Sequence, residues 1–188
     1  MTLRQRKQSA AMQRIQQAAF TMLAERGYEA TKVTDIARAA EVSPSSVYRY
    51  FGTKDGVFVW DPLEGPFMDL LEVNLGGRPA MEAVEVTFLA VVGDLSPDDE
   101  AVLRARTRAI LATPPLREAM RAMLGGFGDD LGNALRRGGA DPLEAGVVAA
   151  ATGAVLLAAV EHWARPGSTD TLAEVTIEVF RSLRVAAI

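Results

Sequence analysis

Cysteine is absent from this 188-residue chain, which excludes disulfides, thiol catalysis and cysteine-rich zinc sites. Histidine occurs once, at His162, so a two-His metal motif cannot be assembled and a His-based triad has only that residue to draw on. Long apolar runs are scarce too. The longest uncharged stretch, residues 145–160, falls short of the roughly 18–20 apolar residues a membrane span needs, and its Ala and Gly content reads as a buried helix. The N-terminal MTLRQRKQSAAM is basic, but no apolar core of ~7–15 residues follows it to make a secretory signal. The expectation is a cytoplasmic globular protein with no membrane partner and no cofactor.

Catalytic pairs are equally hard to build. Asp98 and Asp99, or Asp129 and Asp130, are neighbours in sequence, which does not set two carboxylates across a cleft. His162 beside Trp163 reads as a pocket or interface residue rather than a base. The chain is not expected to be an enzyme.

What is present is an uneven distribution of charge. The net charge is −4, yet residues 1–60 hold nine Lys/Arg against five acids, giving +4, and the remainder carries eleven against nineteen, giving −8. A polyanion-binding head on an acidic body has this pattern, because phosphate attraction acts where the basic groups lie. A chance imbalance on a solvated surface is the alternative.

Helical punctuation runs through the head. Met12, Ile15, Ala18, Ala19, Met22 and Leu23 recur at helix spacing up to Gly27; Ile36, Ala37 and Ala40 mark a second short helix. Ser43 is a good N-cap and Pro44 suits the first position of a third helix. Val47 and Phe51 face inward there. Ser45, Ser46, Tyr48, Arg49 and Tyr50 are left on the sides or outside, and these groups bond phosphates and base edges. Three helices this short must share one core, and the stretch 34–54 reads as a helix-turn-helix.

Residues 15–58 resemble the DNA-binding domain of the TetR family of bacterial regulators. The likeness rests on the Ala18-Ala19-Phe20 region, Glu25-Arg26-Gly27-Tyr28, Asp35-Ile36-Ala37, Val42-Ser43, Val47-Tyr48-Arg49-Tyr50-Phe51 and Lys54-Asp55. It implies an all-α fold, a DNA-binding domain over 1–56 and a helical effector-binding and dimerisation domain over 57–188. It further implies that Ser45, Ser46 and Arg49 face base edges, while Lys32, Thr34, Tyr48, Tyr50 and Lys54 meet phosphates. Lys32 stands where the family often has a Ser or Thr cap, Ser45 replaces a frequent Gly, and Gly56 falls inside the fourth helix.

Thr53 caps that fourth helix, but Gly56, Pro62, Gly65 and Pro66 predict a kinked or divided linker. The body then shows two strong helix starts, Ser96-Pro97 and Asp141-Pro142, a stop at Pro114-Pro115, and a glycine-rich helix bearing Gly125, Gly126, Gly128 and Gly132. The resemblance implies an apolar effector pocket, for which Trp60, Phe67, Phe88, Met120, Met123, Phe127 and Trp163 are candidate lining, with Arg106 as an inward cation. A methionine stripe at helical spacing is more often core than pocket lining. Residues 106–117 resemble, more distantly, actinobacterial members that sense acyl-CoA-like molecules. The resemblance also implies a twofold homodimer built from the last two helices. Gly146, Ala150, Gly153, Val175, Val179, Phe180 and Leu183 are its candidate contacts, with internal core as the alternative. The expected function is a ligand-responsive regulator, a repressor released from a pseudo-palindromic double-stranded DNA operator by a small-molecule effector. A helical sensor or interaction module that has lost specific DNA binding is the alternative.

Overall fold

At Gly27 the first helix turns a corner. The backbone there takes φ 78° and ψ 170° inside α1 (Leu3–Ala30), which glycine reaches without a Cβ penalty, so the axis breaks where the sequence places its glycine. The structure, a computed structural model, describes residues 3–186, with side chains from Lys7 to Arg184. The side chains of Arg4 and Arg6, two of the head's nine cations, lie outside the described residues. Among the described residues every regular element is a helix.

The chain forms two compact units. The first closes at Pro62 and also takes in Ala112–Ala119. In it α1 packs on α2 (Val33–Ala39) and α4 (Lys54–Val59), and α3 (Pro44–Phe51) packs on α2 and α4. Ile15, Ile36, Val47 and Phe58 are fully buried, with Phe20 edge-on to Phe58 at 5.4 Å. The unit runs past the expected limit at 56 because Val57, Phe58 and Val59 are themselves core residues. The two caps read from sequence form: Ser43 Oγ accepts from the Ser46 N–H and Thr53 Oγ1 from the Gly56 N–H. Lys32 makes no side-chain cap at α2.

The second unit holds α5 (Glu64–Asn74), α6 (Ala80–Gly93), α7 (Pro97–Ala112) up to Leu111, α8 (Pro114–Arg137) from Met120, α9 (Pro142–Trp163) and α10 (Leu172–Ala186). The divided linker appears as α4 and α5 separated at residues 60–63. Pro66 is tolerated because it lies in the first turn of α5, where a missing N–H removes no helical bond. Helix α6 is the element the sequence announced least. It starts at Pro79 without a side-chain cap and is apolar on most sides. Ser96 and Asp141 cap their helices as read, accepting from the Asp99 N–H and from the Leu143 and Glu144 N–H groups.

Phe67, Leu71, Val84, Phe127, Leu131, Leu135, Val148 and Phe180 form the larger core of this unit. A smaller cluster gathers Val92, Leu172 and Val175 around Trp163. Polar groups bind that second cluster together. Glu100 Oε1 accepts from Trp163 Nε1 at 3.0 Å, from the Leu172 N–H at 2.9 Å and from Arg104 Nη2 at 3.1 Å. Arg104 donates to the carbonyls of Trp163, Ser168 and Asp170, and Arg108 to those of Ala164 and Arg165. Two arginines of α7 thereby satisfy carbonyls at the C-terminal end of α9, where a helix leaves acceptors without intrahelical donors.

Candidate nucleic-acid interface

Helix α3 is short, capped and amphipathic, and its position follows from two inward side chains. Val47 is fully buried and Phe51 half-buried, its ring meeting Trp60 edge-on at 5.9 Å. The turn before it carries Glu41 at φ 56°, a left-handed conformation that lets the chain reverse between α2 and α3 in four residues.

On the outer side Tyr48 is 52% exposed and presents a ring and a hydroxyl to solvent. Arg49 is exposed beside it. Its guanidinium lies 4.9 Å from the Tyr50 ring centroid and donates to Tyr50 Oη at 3.1 Å, so the planar donor is held near the surface rather than swinging free. Tyr50 is half-buried against Phe51. Ser45 Oγ and Ser46 Oγ stand 2.8 and 2.9 Å from Ser43 Oγ, forming a hydroxyl cluster at the helix N-terminus that partly engages the serines expected at base edges. Lys32 and Thr34 are exposed at the start of α2.

Lys54 has a second role, inside the fold. Its Nζ donates to the Tyr28 carbonyl at 2.6 Å and lies 3.7 Å from the Tyr28 ring centroid, so it first closes the end of α1 onto α4. Tyr28 Oη in turn donates to Asp55 Oδ1. Burial, then the hydrogen bond to Asp55 and the negative charges of Asp55 and Glu29, push the Tyr28 phenol up from its ordinary 10.0 to about 12. Asp35 accepts from Arg26 at 3.1 Å, bracing α2 against α1, and pairs with Arg38 of its own helix at 3.3 Å.

Gln16 carries the contact least visible in the sequence. It is 2% exposed, and its Nε2 reaches the carbonyls of Val57, Phe58 and Trp60 at 3.2, 3.3 and 2.7 Å. The one available signal was Pro62, which lacks the N–H that Phe58 O would accept in a continued helix.

The residues expected to line an effector pocket do not come together as one set. Phe67, Phe88 and Phe127 do, with centroids 4.2 to 6.2 Å apart and Phe180 joining at 6.0 Å from Phe88. Met120 is buried and Met123 half-buried on α8. Trp60 belongs to the first unit, on Phe51, because the chain has not yet left the head there. Trp163 is a fully buried core residue in the other cluster, its nitrogen on Glu100 and one face 4.8 Å from the Arg104 guanidinium. Arg106 is half-buried on α7, and desolvation lowers its pKa.

The candidate interface residues divide in the same way. Val175 and Phe180 are core residues of the protomer, where α10 turns them against α6 and α9. Val179 and Leu183 are half-buried. Gly146 and Ala150 are exposed and Gly153 half-exposed. These three line a groove of about 790 Å³ between α8 and α9 whose α8 wall includes Gly125, Gly128 and Gly132. Helix α9 is also long and apolar enough to cross a membrane by length and composition; the helix outruns the uncharged stretch, taking in Pro142 and Trp163. It packs on α10 and α6.

Residues 15–59 match the model of the tetR family of bacterial regulatory proteins, and residues 78–186 match the MftR C-terminal domain. The chain is 32% identical over 121 residues to the HTH-type transcriptional regulator TcmR of Streptomyces glaucescens, covering 61% of this chain and 54% of that protein. It thus spans about half the length of that relative. It is 28% identical over 176 residues to MftR of Mycobacterium tuberculosis, named as a mycofactocin biosynthesis transcriptional regulator, covering 88% of this chain and 85% of that one. Among solved structures it resembles Thermus thermophilus FadR, a repressor in complex with lauroyl-CoA, with a TM-score of 0.55 at 22% identity, over 94% of this chain and 95% of that one.

Proposed function

The chain belongs to the TetR family of bacterial regulatory proteins, and from that premise we propose that it is a DNA-binding transcriptional repressor, released from its operator by a small-molecule effector acting on the body. The single observation that carries the reading is the outer face of α3, where an exposed Tyr48 and an Arg49 braced on Tyr50 stand on a helix fixed by a Ser43 cap and a buried Val47. Arg49 supplies a planar donor suited to bidentate contact with a guanine edge. Tyr48, Tyr50, Lys32, Thr34 and the remaining donors of Lys54 supply phosphate contacts, which hold the register without reading sequence. Ser45 and Ser46 can reach bases after exchanging their bonds to Ser43.

A repressor of this kind works as a pair. Two α3 helices on a twofold axis must enter grooves about 34–36 Å apart or a multiple of that. The outward side of α9 supports a second copy as the partner: Leu143 and Val147 are exposed there, with Gly146 and Ala150 between and beyond them allowing close helix approach. An effector that prefers the arrangement with the wrong spacing lowers operator affinity. Phe67, Phe88 and Phe127 are packed ring against ring in the core, so an apolar effector would enter there only by parting them.

Selection of binding sites from random double-stranded DNA, followed by affinity measurement across a salt series, tests this. Enrichment of a two-half-site sequence, with Arg49→Ala weakening the selected site by about 1–3 kcal/mol more than random DNA, is the expected result. Micromolar binding to every sequence alike would instead favour a helical sensor that no longer reads DNA.

A further inference from the structure

We propose that Gln16 is a positioning residue for operator recognition: it replaces the backbone donors lost at the break after α4 and so fixes the path by which the chain leaves the DNA-binding head. The argument starts from Pro62. In a helix continued past Val59, the carbonyls of Val57 and Phe58 would accept from residues 61 and 62. Residue 62 is a proline and has no N–H to give. The last helical bond is instead Trp60 N–H to Gly56 O, and Trp60 itself turns to φ −58°, ψ 125°. Into this gap α1 inserts one amide. Gln16 is 2% exposed, and its Nε2 lies 3.2, 3.3 and 2.7 Å from the carbonyl oxygens of Val57, Phe58 and Trp60.

An apolar side chain of similar size would fill the same volume, so packing alone does not explain a buried glutamine. A buried amide is costly unless it is hydrogen-bonded, and here its donors meet the carbonyls at a helix end that require them. Gln16 sits on α1 one residue after Ile15, a fully buried residue of the head. The bond therefore refers the end of α4 to the head's own core. The backbone up to Trp60 is thereby tied to the head by a side chain as well as by helical bonds. A protein that presents two reading helices at one separation has to hold the backbone that leaves each head, and Gln16 acts on that backbone.

The inference rests on the operator-binding reading above, and the test separates the two. Full-length wild type, Gln16→Met, Pro62→Ala and the double variant are compared on a site selected by the wild type and on the same half-sites with the spacer changed by one or two base pairs. Gln16→Met is expected to reduce the preference for the native spacer by about tenfold, within the range of couplings between contacting residues. Its discrimination against base changes inside a half-site should stay intact, since α3 is untouched. In thermal melts the loss caused by Gln16→Met should be only slightly smaller in the Pro62→Ala background, because an N–H at residue 62 could serve Phe58 O alone while the carbonyls of Val57 and Trp60 still lose their donor.

A wild type that selects no sequence sinks the operator reading and this role with it. A wild type that selects normally, beside a Gln16→Met variant with unchanged spacer preference, overturns the role of Gln16 alone, as does equal loss of spacer and base discrimination. Where Gln16→Met is too unstable to assay, Pro62→Ala and the double variant decide. A double variant with a weaker native-spacer preference than Pro62→Ala supports the positioning role of Gln16, and equal preference in the two overturns it.

Discussion

Trp163 Nε1 donates to Glu100 Oε1 at 3.0 Å across 63 positions of sequence, onto a carboxylate oxygen that also accepts from the Leu172 N–H and Arg104. One oxygen thereby joins α7, the end of α9 and the start of α10. Glu100→Ala removes all of these bonds and leaves Arg104, whose side chain is only 16% exposed, without its carboxylate. The expected cost is about 2–4 kcal/mol, seen in urea unfolding followed by Trp163 emission in a Trp60→Phe background. Glu100→Gln keeps an acceptor and should lose less than half as much. A cost near zero would mean that the hub adds nothing to the body.

Alkaline pH should weaken the head through Tyr28. The folded phenol is raised to about 12 from 10.0, so the folded state favours the protonated form. The associated stability is fully present below about pH 10 and is lost as pH rises through 12. Denaturant midpoints measured between pH 9 and 12 should fall with the wild type, whereas Tyr28→Phe, which has no phenol to ionise, should lack that part of the decline. Parallel profiles for the two proteins would exclude Tyr28 as its source.

Gly56→Ala should destabilise the head although alanine is the better helix former by about 1 kcal/mol. A Cβ there would stand 2.2 Å from the Phe51 carbonyl oxygen and 3.3 Å from Thr53 Oγ1. The carbonyl belongs to the end of α3 and cannot move without disturbing the α3–α4 corner. A loss of about 1–3 kcal/mol is expected, the usual range for overpacking, with weaker binding to the selected site at temperatures where wild type remains folded. Unchanged melting would show that the corner can open without cost.

Val147→Glu probes the dimer. Val147 is 59% exposed on the apolar side of α9, so a carboxylate there should leave the protomer's stability near wild type while opposing a like charge brought close by a twofold axis. The expected outcome is a monomeric mass in sedimentation at concentrations where wild type is dimeric, together with loss of cooperative operator binding. A variant that remains dimeric would remove this side of α9 from the interface.

The head was legible because its signals are local. Gly27 breaks α1 since only a residue without a Cβ enters that backbone conformation easily; Ser43-Pro44 and Thr53 start helices because their hydroxyls reach N–H groups three residues on. Helix spacing sufficed to turn Val47 inward and leave Tyr48 and Arg49 outside. The body's candidates were less legible. Apolar spacing on α9 and α10 shows which side of a helix avoids water, yet it cannot say whether that side meets the same chain or another copy. Val175 and Phe180 went to the first and Gly146 and Ala150 are open to the second. Aromatic content likewise could not sort Phe67, Phe88 and Phe127, which gather, from Trp60 and Trp163, which do not.

By itself, then, the sequence determined the helical class, the helix-turn-helix, the places where helices start and stop, and which side chains of α3 face outward, because each depends on residues within a few positions of one another. Only the tertiary structure decided that Lys54 closes onto Tyr28, that Glu100 receives Trp163, and that Gln16 serves the carbonyls beside a proline more than forty residues away. Those contacts join groups far apart in the chain. Their partners are set by how the helices pack, and a buried donor and acceptor find each other only after that packing has removed the water that would otherwise satisfy them.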